Sequence, residues 1–309
     1  MYTMTDKAGV AIIFFNRPYA VEQVFKAVAK VKPKNLFLIQ DGPRNEKDEE
    51  NIKLCRKIVE NIDWECNVQK NYSEVNLGCG KRMQSGISWV FEQIDRAIIL
   101  EDDCVPQEDF FQFSEEMLEK YADDKRILMI SGLNLFENPN MENDYFFAMN
   151  GPIWGWATWR RAWEMYDYSA SKINDPKVEK AIFQLEPKYV AKKDVRKWKE
   201  TNKKVLNGEK LSYWAHQWRL VKYTQNNVCI IPKCNLISNV GDKDATHPGQ
   251  GECEYHNRAV GSLQFPLKHP DCVIIDYDYD NIYSENLNST RWIRLKKKIF
   301  GRIKCKKTK

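Results

Sequence analysis

An α/β fold, with a Rossmann-like, mostly parallel sheet flanked by helices, is what this sequence predicts, and three observations carry it. Short continuous apolar runs recur, as in "VAIIFF" (10–15), "LFLI" (36–39) and "AIIL" (97–100). Between them lie segments whose apolar residues fall at helical spacing. Each run also stops at polar residues: Asn16-Arg17, Asp41, and Glu101-Asp102-Asp103. Continuous apolar runs suit strands buried on both faces, and their alternation with amphipathic helices suits parallel crossovers.

The elements follow in order. Val10 to Phe15 reads as a strand, and Pro18 is well placed to open the helix marked by Val21, Val24, Phe25, Val28 and Val31. "NLFLIQ" is a second strand, ending at Asp41 before a Gly-Pro turn. Ile52, Cys55, Ile58, Val59 and Ile62 mark the next helix. A third strand is expected over Cys66 to Gln69, then a glycine turn, "NLGCGK", and a helix through Met83, Ile87, Val90, Phe91 and Ile94. Ala97 to Leu100 is the fourth strand, with another helix after it. Ile127 to Ser131 is a further strand. The segment from Asp175 to Tyr223 reads as helical and highly charged, and "VCIIPKCNLISNVG" returns as strand. The expected organisation is an α/β half over 1–134, a second half of the same domain over 135–290, and a tail over 291–309. Ligands of such sheets bind beyond the carboxyl ends of the strands, so the three polar strand ends should line one crevice.

Charge narrows the function. Of 48 Lys and Arg, ten lie in residues 291–309, which hold no acid, leaving 38 basic against 43 acidic residues in the body. Phosphate contacts supply most nucleic-acid affinity, so an acidic body argues against a nucleic-acid partner. Nine scattered Cys without a C-x-x-C pair suit reduced thiols in a cytosol. The N-terminal apolar run is too short for a signal peptide, and no segment reaches the roughly 20 apolar residues of a membrane span. The tail places Trp292, Leu295, Ile299 and Ile303 at helical spacing among its ten basic residues. That is the composition of an interfacial amphipathic helix. The expected location is therefore cytoplasmic and peripheral, at the inner face of a membrane.

The acid triplet is the sharpest motif. Three adjacent carboxylates repel, and burying them is costly without a cation. Hard oxygen ligands suit Mg²⁺ or Mn²⁺, which bridge one or two carboxylates to substrate phosphates. Gly80-Lys81 looks like the end of a phosphate-binding P-loop. That motif needs Gly at 75 and Ser or Thr at 82, where this chain has Val75 and Arg82, so a kinase or ATPase is excluded. Lys81 and Arg82 still stand at a helix start, where an anion is favoured. Cys229, Cys234, His247 and Cys253 lack the tight knuckle of a zinc site, and buried Cys acting as small hydrophobes is the better account. In "GPIWGWATWRRAWEMYDY", Trp154 and Trp156 are candidate sugar-stacking surfaces, and Gly155 between them suggests close approach to a ligand. "LSYWAHQWRL" adds Trp214 and His216, and the polar loop "NVGDKDATHPGQG" holds Asp242, Asp244 and His247, a candidate lid.

In their order, "VAIIFFNRP", "LFLIQDGPR", "AIILEDDCVPQEDFFQF" and "MISGLN" resemble the glycosyltransferase A fold. The chain looks closest to the N-acetylglucosaminyltransferase I group. It is also similar to bacterial sugar transferases of surface-polysaccharide clusters, which share "GWATWRRAW" and "SNVGDKDATH"-like loops. The resemblance spans about residues 8 to 250 and leaves the tail outside. It makes the first half the nucleotide-sugar side and the second the acceptor side. It implies Asp103 as a Mn²⁺ ligand, Glu101 and Asp102 at the donor sugar and ribose, and Asp41 at the uracil. Arg17 and Arg82 then lie by the nucleotide, and the loop ending at His247 closes over the donor, with His247 a possible metal ligand. Where that family carries its catalytic acid, this chain has Ala215 and His216, so His216, Asp242 and Asp244 stay open as the base.

The function implied is metal-dependent transfer of a hexosyl or N-acetylhexosaminyl group from a UDP-sugar to a glycan or lipid-linked glycan hydroxyl. Two other readings remain open. A sugar-phosphate nucleotidyltransferase would respond to an NTP and a sugar phosphate, and a non-catalytic nucleotide or glycan-binding module would bind without turnover.

Overall fold

The computed structural model describes residues 2–138, 140–241 and 256–287. In chain order it contains β1 (Gly9–Phe14), α1 (Pro18–Val31), β2 (Asn35–Gln40), α2 (Glu46–Val59), β3 (Asn67–Tyr72), α3 (Cys79–Gln93), β4 (Arg96–Glu101), β5 (Cys104–Pro106) and α4 (Glu108–Lys120). The second half adds β6 (Ile127–Ser131), β7 (Tyr145–Ala148), β8 (Trp156–Trp159), α5 (Arg160–Trp163), α6 (Pro176–Leu185), α7 (Lys188–Leu206), α8 (Ala215–Gln225), β9 (Val228–Pro232), β10 (Ile237–Asn239) and α9 (Tyr277–Leu287).

Eight strands form one sheet in the order β3-β2-β1-β4-β8-β6-β9-β7. β3, β2, β1 and β4 run parallel, β8 enters antiparallel between β4 and β6, and β9 returns parallel to β6. The expected α/β class, a mostly parallel sheet with flanking helices, is therefore the class observed. Its physical basis is visible strand by strand. Val10 and Ile12 of β1, Leu36 and Leu38 of β2, and Ile98 and Leu100 of β4 enter one core with α1, α2 and α4. Ala11 and Ile13, Phe37 and Ile39, and Ala97 and Ile99 enter the opposite core with α3, α5 and α8. A strand with apolar residues on both faces needs helices on both faces, as the period of two dictates.

Several boundaries differ from expectation. β3 runs to Tyr72, beyond the anticipated Gln69, because "NVQKNY" is a polar edge strand with one half-exposed face and no apolar run to mark its end. α2 stops at Val59 with Glu60 as its cap, short of Ile62. β8 comes from the aromatic segment 151–168 and β7 from residues 145–148 just before it, neither expected as a strand, and all residues of both are buried. The apolar run after residue 228 is two strands: β9 joins the main sheet, while β10 turns away to pair antiparallel with β5. That two-stranded ribbon lies directly after the acid triplet, and it shapes the site.

Candidate functional site

Arg17, Asp41 and Glu101–Asp103 all follow the carboxyl ends of the parallel strands β1, β2 and β4. Glu101 is the last residue of β4, in register with Ile13 of β1, so the triplet begins where the strand leaves the core. Arg17 precedes Pro18 and caps α1 from outside. Its guanidinium closes on Asp102 with both Nη2 and Nε, the latter at 3.3 Å, and reaches Asp103 Oδ2 at 3.0 Å. Asp102 is buried and also accepts from the backbone N–H of Phe15 at 3.3 Å.

One guanidinium thus faces three carboxylates. Burial works against the charge of Arg17, but Asp102 and Asp103 outweigh it and hold its pKa above the ordinary value. Burial raises Asp102, with Arg17 pulling it down and Asp103 pushing it up. Burial, with Asp103 and Asp102 beside it, pushes Glu101 up to about 8. The site carries more negative charge than its own cation can balance.

Asp103 is half-buried and faces the segment after β10. Its backbone oxygen accepts from Val240 N–H at 2.9 Å, and its Oδ1 accepts from the Cys104 thiol at 3.3 Å. A Cβ placed on Gly241 would stand 2.7 Å from Asp103 Oδ2, 3.0 Å from Asn239 Oδ1 and 3.3 Å from Arg17 Nη1. Glycine is therefore required by the close approach of this segment to Asp103, Asn239 and Arg17, and Asn239 Oδ1, which accepts from the Gly241 N–H at 2.9 Å, brings a second hard oxygen near Asp103 Oδ2. Such a donor set fits a divalent cation that prefers oxygen and takes its remaining ligands from phosphate and water. Among the described residues no three His, Cys, Asp or Glu form a complete metal cage, so phosphate ligands would have to complete the shell. Asn239 carried no periodic or charge signal in the sequence; only its place in "SNVG" before the polar loop marks it.

Other expected residues are employed differently. Asp41 is buried, and its carboxylate accepts from the N–H groups of Gly42 (3.0 Å), Leu77 (2.8 Å) and Gly78 (2.9 Å) and from Asn76 Nδ2 (3.2 Å). Four donors occupy the roughly four lone-pair directions of a carboxylate. Asp41 supplies the anion at the α3 start, and its acceptor capacity is taken up by the chain's own donors. Gly80 is needed for the same junction, because a Cβ there would lie 2.6 Å from Leu211 O and 2.7 Å from Tyr213 O. Arg82 is buried and directed at Asn71, bonding its backbone oxygen and, at 2.9 Å, its Oδ1. Lys81 is exposed, with its amine on Gln84 Oε1 at 2.9 Å. Neither basic residue joins the acid triplet.

The tryptophans divide. Trp156 is fully buried and Trp214 3% exposed, and their rings stack at 5.6 Å within a cluster that includes Trp163 and Trp218. Both are core, so neither offers a face to a sugar. Gly155 has a φ of +67°, and a Cβ there would lie 2.5 Å from Ile237 Cδ1. Its glycine serves the contact with β10 rather than a ligand. Trp154 stays partly exposed, its ring 5.4 Å from that of His256. His216 stacks on Trp198 at 4.5 Å. Burial, then the nearby Lys197 and Arg219, drive its pKa down to about 2. His216 lines a cavity that shares no residue with the acid triplet, so the structure does not bring it to Asp103. Asp242, Asp244 and His247 lie outside the described residues.

No family model matches the chain, and no curated protein matches it. Among solved structures it is similar to 4-diphosphocytidyl-2C-methyl-D-erythritol synthase from Anaerococcus prevotii, at 14% identity and a TM-score of 0.33, over 55% of this chain and 77% of that one. It is also similar to mouse xyloside xylosyltransferase 1 in its apo form, at 10% identity and a TM-score of 0.37, over 73% of this chain and 84% of that one. Likenesses of this size carry no argument, and what the crevice can do rests on its own residues: an acid triplet at the end of a parallel sheet, underbalanced by one arginine and packed against the segment at Gly241.

Proposed function

We propose that this chain is a metal-dependent glycosyltransferase that moves a hexose-type sugar from a UDP-sugar to a hydroxyl of a glycan or lipid-linked glycan, in surface-polysaccharide synthesis. The observation that carries this reading is the acid triplet at the carboxyl end of β4, whose charge Arg17 alone does not balance, with Asp103 Oδ2 and Asn239 Oδ1 both close to Gly241. Asp103 and Asn239 would hold Mn²⁺ or Mg²⁺, which when bound stabilises a departing diphosphate as Lewis acid and template. Arg17 holds Asp102 and fixes the direction of Asp103. Glu101 ends β4, where its carboxyl group can hydrogen-bond sugar hydroxyls. The polar loop holding Asp242, Asp244 and His247, which lies outside the described residues, is the proposed cover that would exclude water from the donor. The resemblance to the glycosyltransferase A fold in "AIILEDDCVPQEDFF" supports the same assignment.

A thermal-shift panel of UDP, GDP, CDP and UDP-sugars, each with and without Mn²⁺, tests the reading. UDP and at least one UDP-sugar should raise the melting temperature only with the metal. Stabilisation by an NTP with a sugar phosphate, and none by UDP, would instead indicate nucleotidyl transfer.

No helix among the described residues is long and apolar enough to cross a membrane. The tail, whose residues lie outside the described ones, is proposed to attach the enzyme to an anionic leaflet, with each basic residue near the surface contributing about 1 kcal/mol. Full-length protein should co-sediment with anionic liposomes at low salt, and a chain ending at Thr290 should stay in the supernatant. Equal behaviour of the two chains would remove the tail as an anchor.

A further inference from the structure

A cavity of about 270 Å³ lies between α8, the start of β9 and the segment 149–153, and it shares no residue with the acid crevice. One wall is apolar, with Met129, Met149, Ile153 and Trp218. The other presents Lys197, His216, Arg219 and Lys222, and no carboxylate lines the space.

The hydrogen-bonding of that polar wall is incomplete. Lys222 is satisfied, with its amine 2.6 Å from Asn150 Oδ1 and 3.3 Å from Glu186 Oε1. Arg219 reaches back to Asp194 at 2.6 Å and Glu186 at 3.6 Å, yet its Nε is buried with no partner among the described residues. Lys197 sits over the Tyr213 ring at 4.8 Å and makes no ion pair among the described residues. His216 Nε2 is likewise buried and unpartnered. The imidazole hydrogen-bonds the Asp194 backbone, an N–H donation that falls to Nδ1 and leaves Nε2 a bare lone pair in the neutral ring. Asp280 accepts from the N–H groups of Met149 and Asn150 at 2.8 Å each, which fixes the opposite rim.

Buried polar atoms are nearly always paired, so a free Arg219 Nε donor beside a free His216 Nε2 acceptor, with the half-exposed Lys197 lining the same cavity, describes a missing ligand. We infer that this cavity binds a small hydroxylated oxyanion, a sugar bearing a carboxylate or phosphate, with Lys197 and Arg219 Nε on the oxyanion, His216 Nε2 accepting from a hydroxyl, and the carbon face against Met129 and Met149. Glu186 and Asp194 pair with Arg219 and Lys222 but do not line the cavity, which leaves only basic side chains among its charged lining. Burial lowers the pKa of Lys197, with Lys193 and Arg219 adding to it and Asp194 opposing it. Charge-assisted bonds of this kind are the strong ones. The inference stands without the glycosyl-transfer reading, because it concerns other residues and is read by binding.

Calorimetry on the full chain tests it with glucuronate, glucose 6-phosphate, glucose and inorganic phosphate as probes. Glucuronate or glucose 6-phosphate should bind saturably, glucose should not, and saturating UDP with Mn²⁺ should leave that binding in place. Lys197→Gln, which breaks no ion pair, should weaken it about tenfold, the scale of one charge-assisted bond. His216→Phe, which keeps the stacking on Trp198, should weaken it less. Equal binding of glucose, no binding of either acid, unchanged affinity in Lys197→Gln, or inorganic phosphate binding as tightly as glucose 6-phosphate would each overturn the assignment.

Discussion

Asp103→Asn should lower transfer from a UDP-sugar by about a thousandfold or more while leaving the fold intact. The scale follows from the several kcal/mol that a Lewis-acid ion contributes to a developing diphosphate charge, at roughly 1.36 kcal/mol per tenfold in rate. The variant should fold because the side chain of Asp103 is 19% exposed, against 7% for Asp102, and Asp102 keeps its own bonds to Arg17 and Phe15. Asparagine preserves shape and one oxygen but removes the charge a hard cation requires. The measurement is UDP release with a Mn²⁺ titration, alongside Mn²⁺-dependent stabilisation by UDP. Turnover equal to wild type at saturating metal would take Asp103 out of the site. Loss of turnover with metal-dependent UDP stabilisation intact would move it from holding the metal to another catalytic role.

The fold was legible where the chain is apolar on both faces of a strand and dark where it is not. β1, β2, β4 and β6 announce themselves because burial on both sides demands continuous apolar runs. β3 is polar because it is an edge, and β7 and β8 are aromatic, so none shows that signal. The site followed the same division. The acids and Arg17 stood out because strand ends in a parallel sheet converge, and sequence position alone reports that. Asp41 stood at the same kind of end, yet its carboxylate answers the α3 amides, a demand set by residues 36 and 37 positions away. Gly155 marked close packing correctly but by the wrong partner, since Ile237 belongs to a strand whose departure from the sheet no pattern announced. Arg219 and Lys222, one helical turn apart, fall in the segment whose sequence showed only that it is helical and highly charged. Their burial depends on Glu186 and Asp194 from α6's end and α7, which only the tertiary fold brings there.

Arg17→Met should cost about 3–5 kcal/mol of stability, the scale for removing one partner of a buried ion pair. The side chains of Arg17 and Asp102 are 14% and 7% exposed, so little solvent screens the pair. Most of the loss comes from leaving Asp102 without its counter-charge next to Asp103 and Glu101, rather than from the contacts of Arg17 itself. Two consequences separate this account from simple loss of packing. Arg17→Met combined with Asp102→Asn should recover much of the stability, because the stranded charge is gone. Mn²⁺ should also stabilise Arg17→Met more than wild type, since a cation bound only by the folded state adds stability by mass action and here replaces a missing charge. Urea unfolding of the wild type and both variants, with and without Mn²⁺, reads all three effects. A single variant as stable as wild type would mean that Arg17 does not hold the acids. Equal Mn²⁺ effects on wild type and Arg17→Met would mean that the excess charge of the triplet is not what draws a cation to the end of β4.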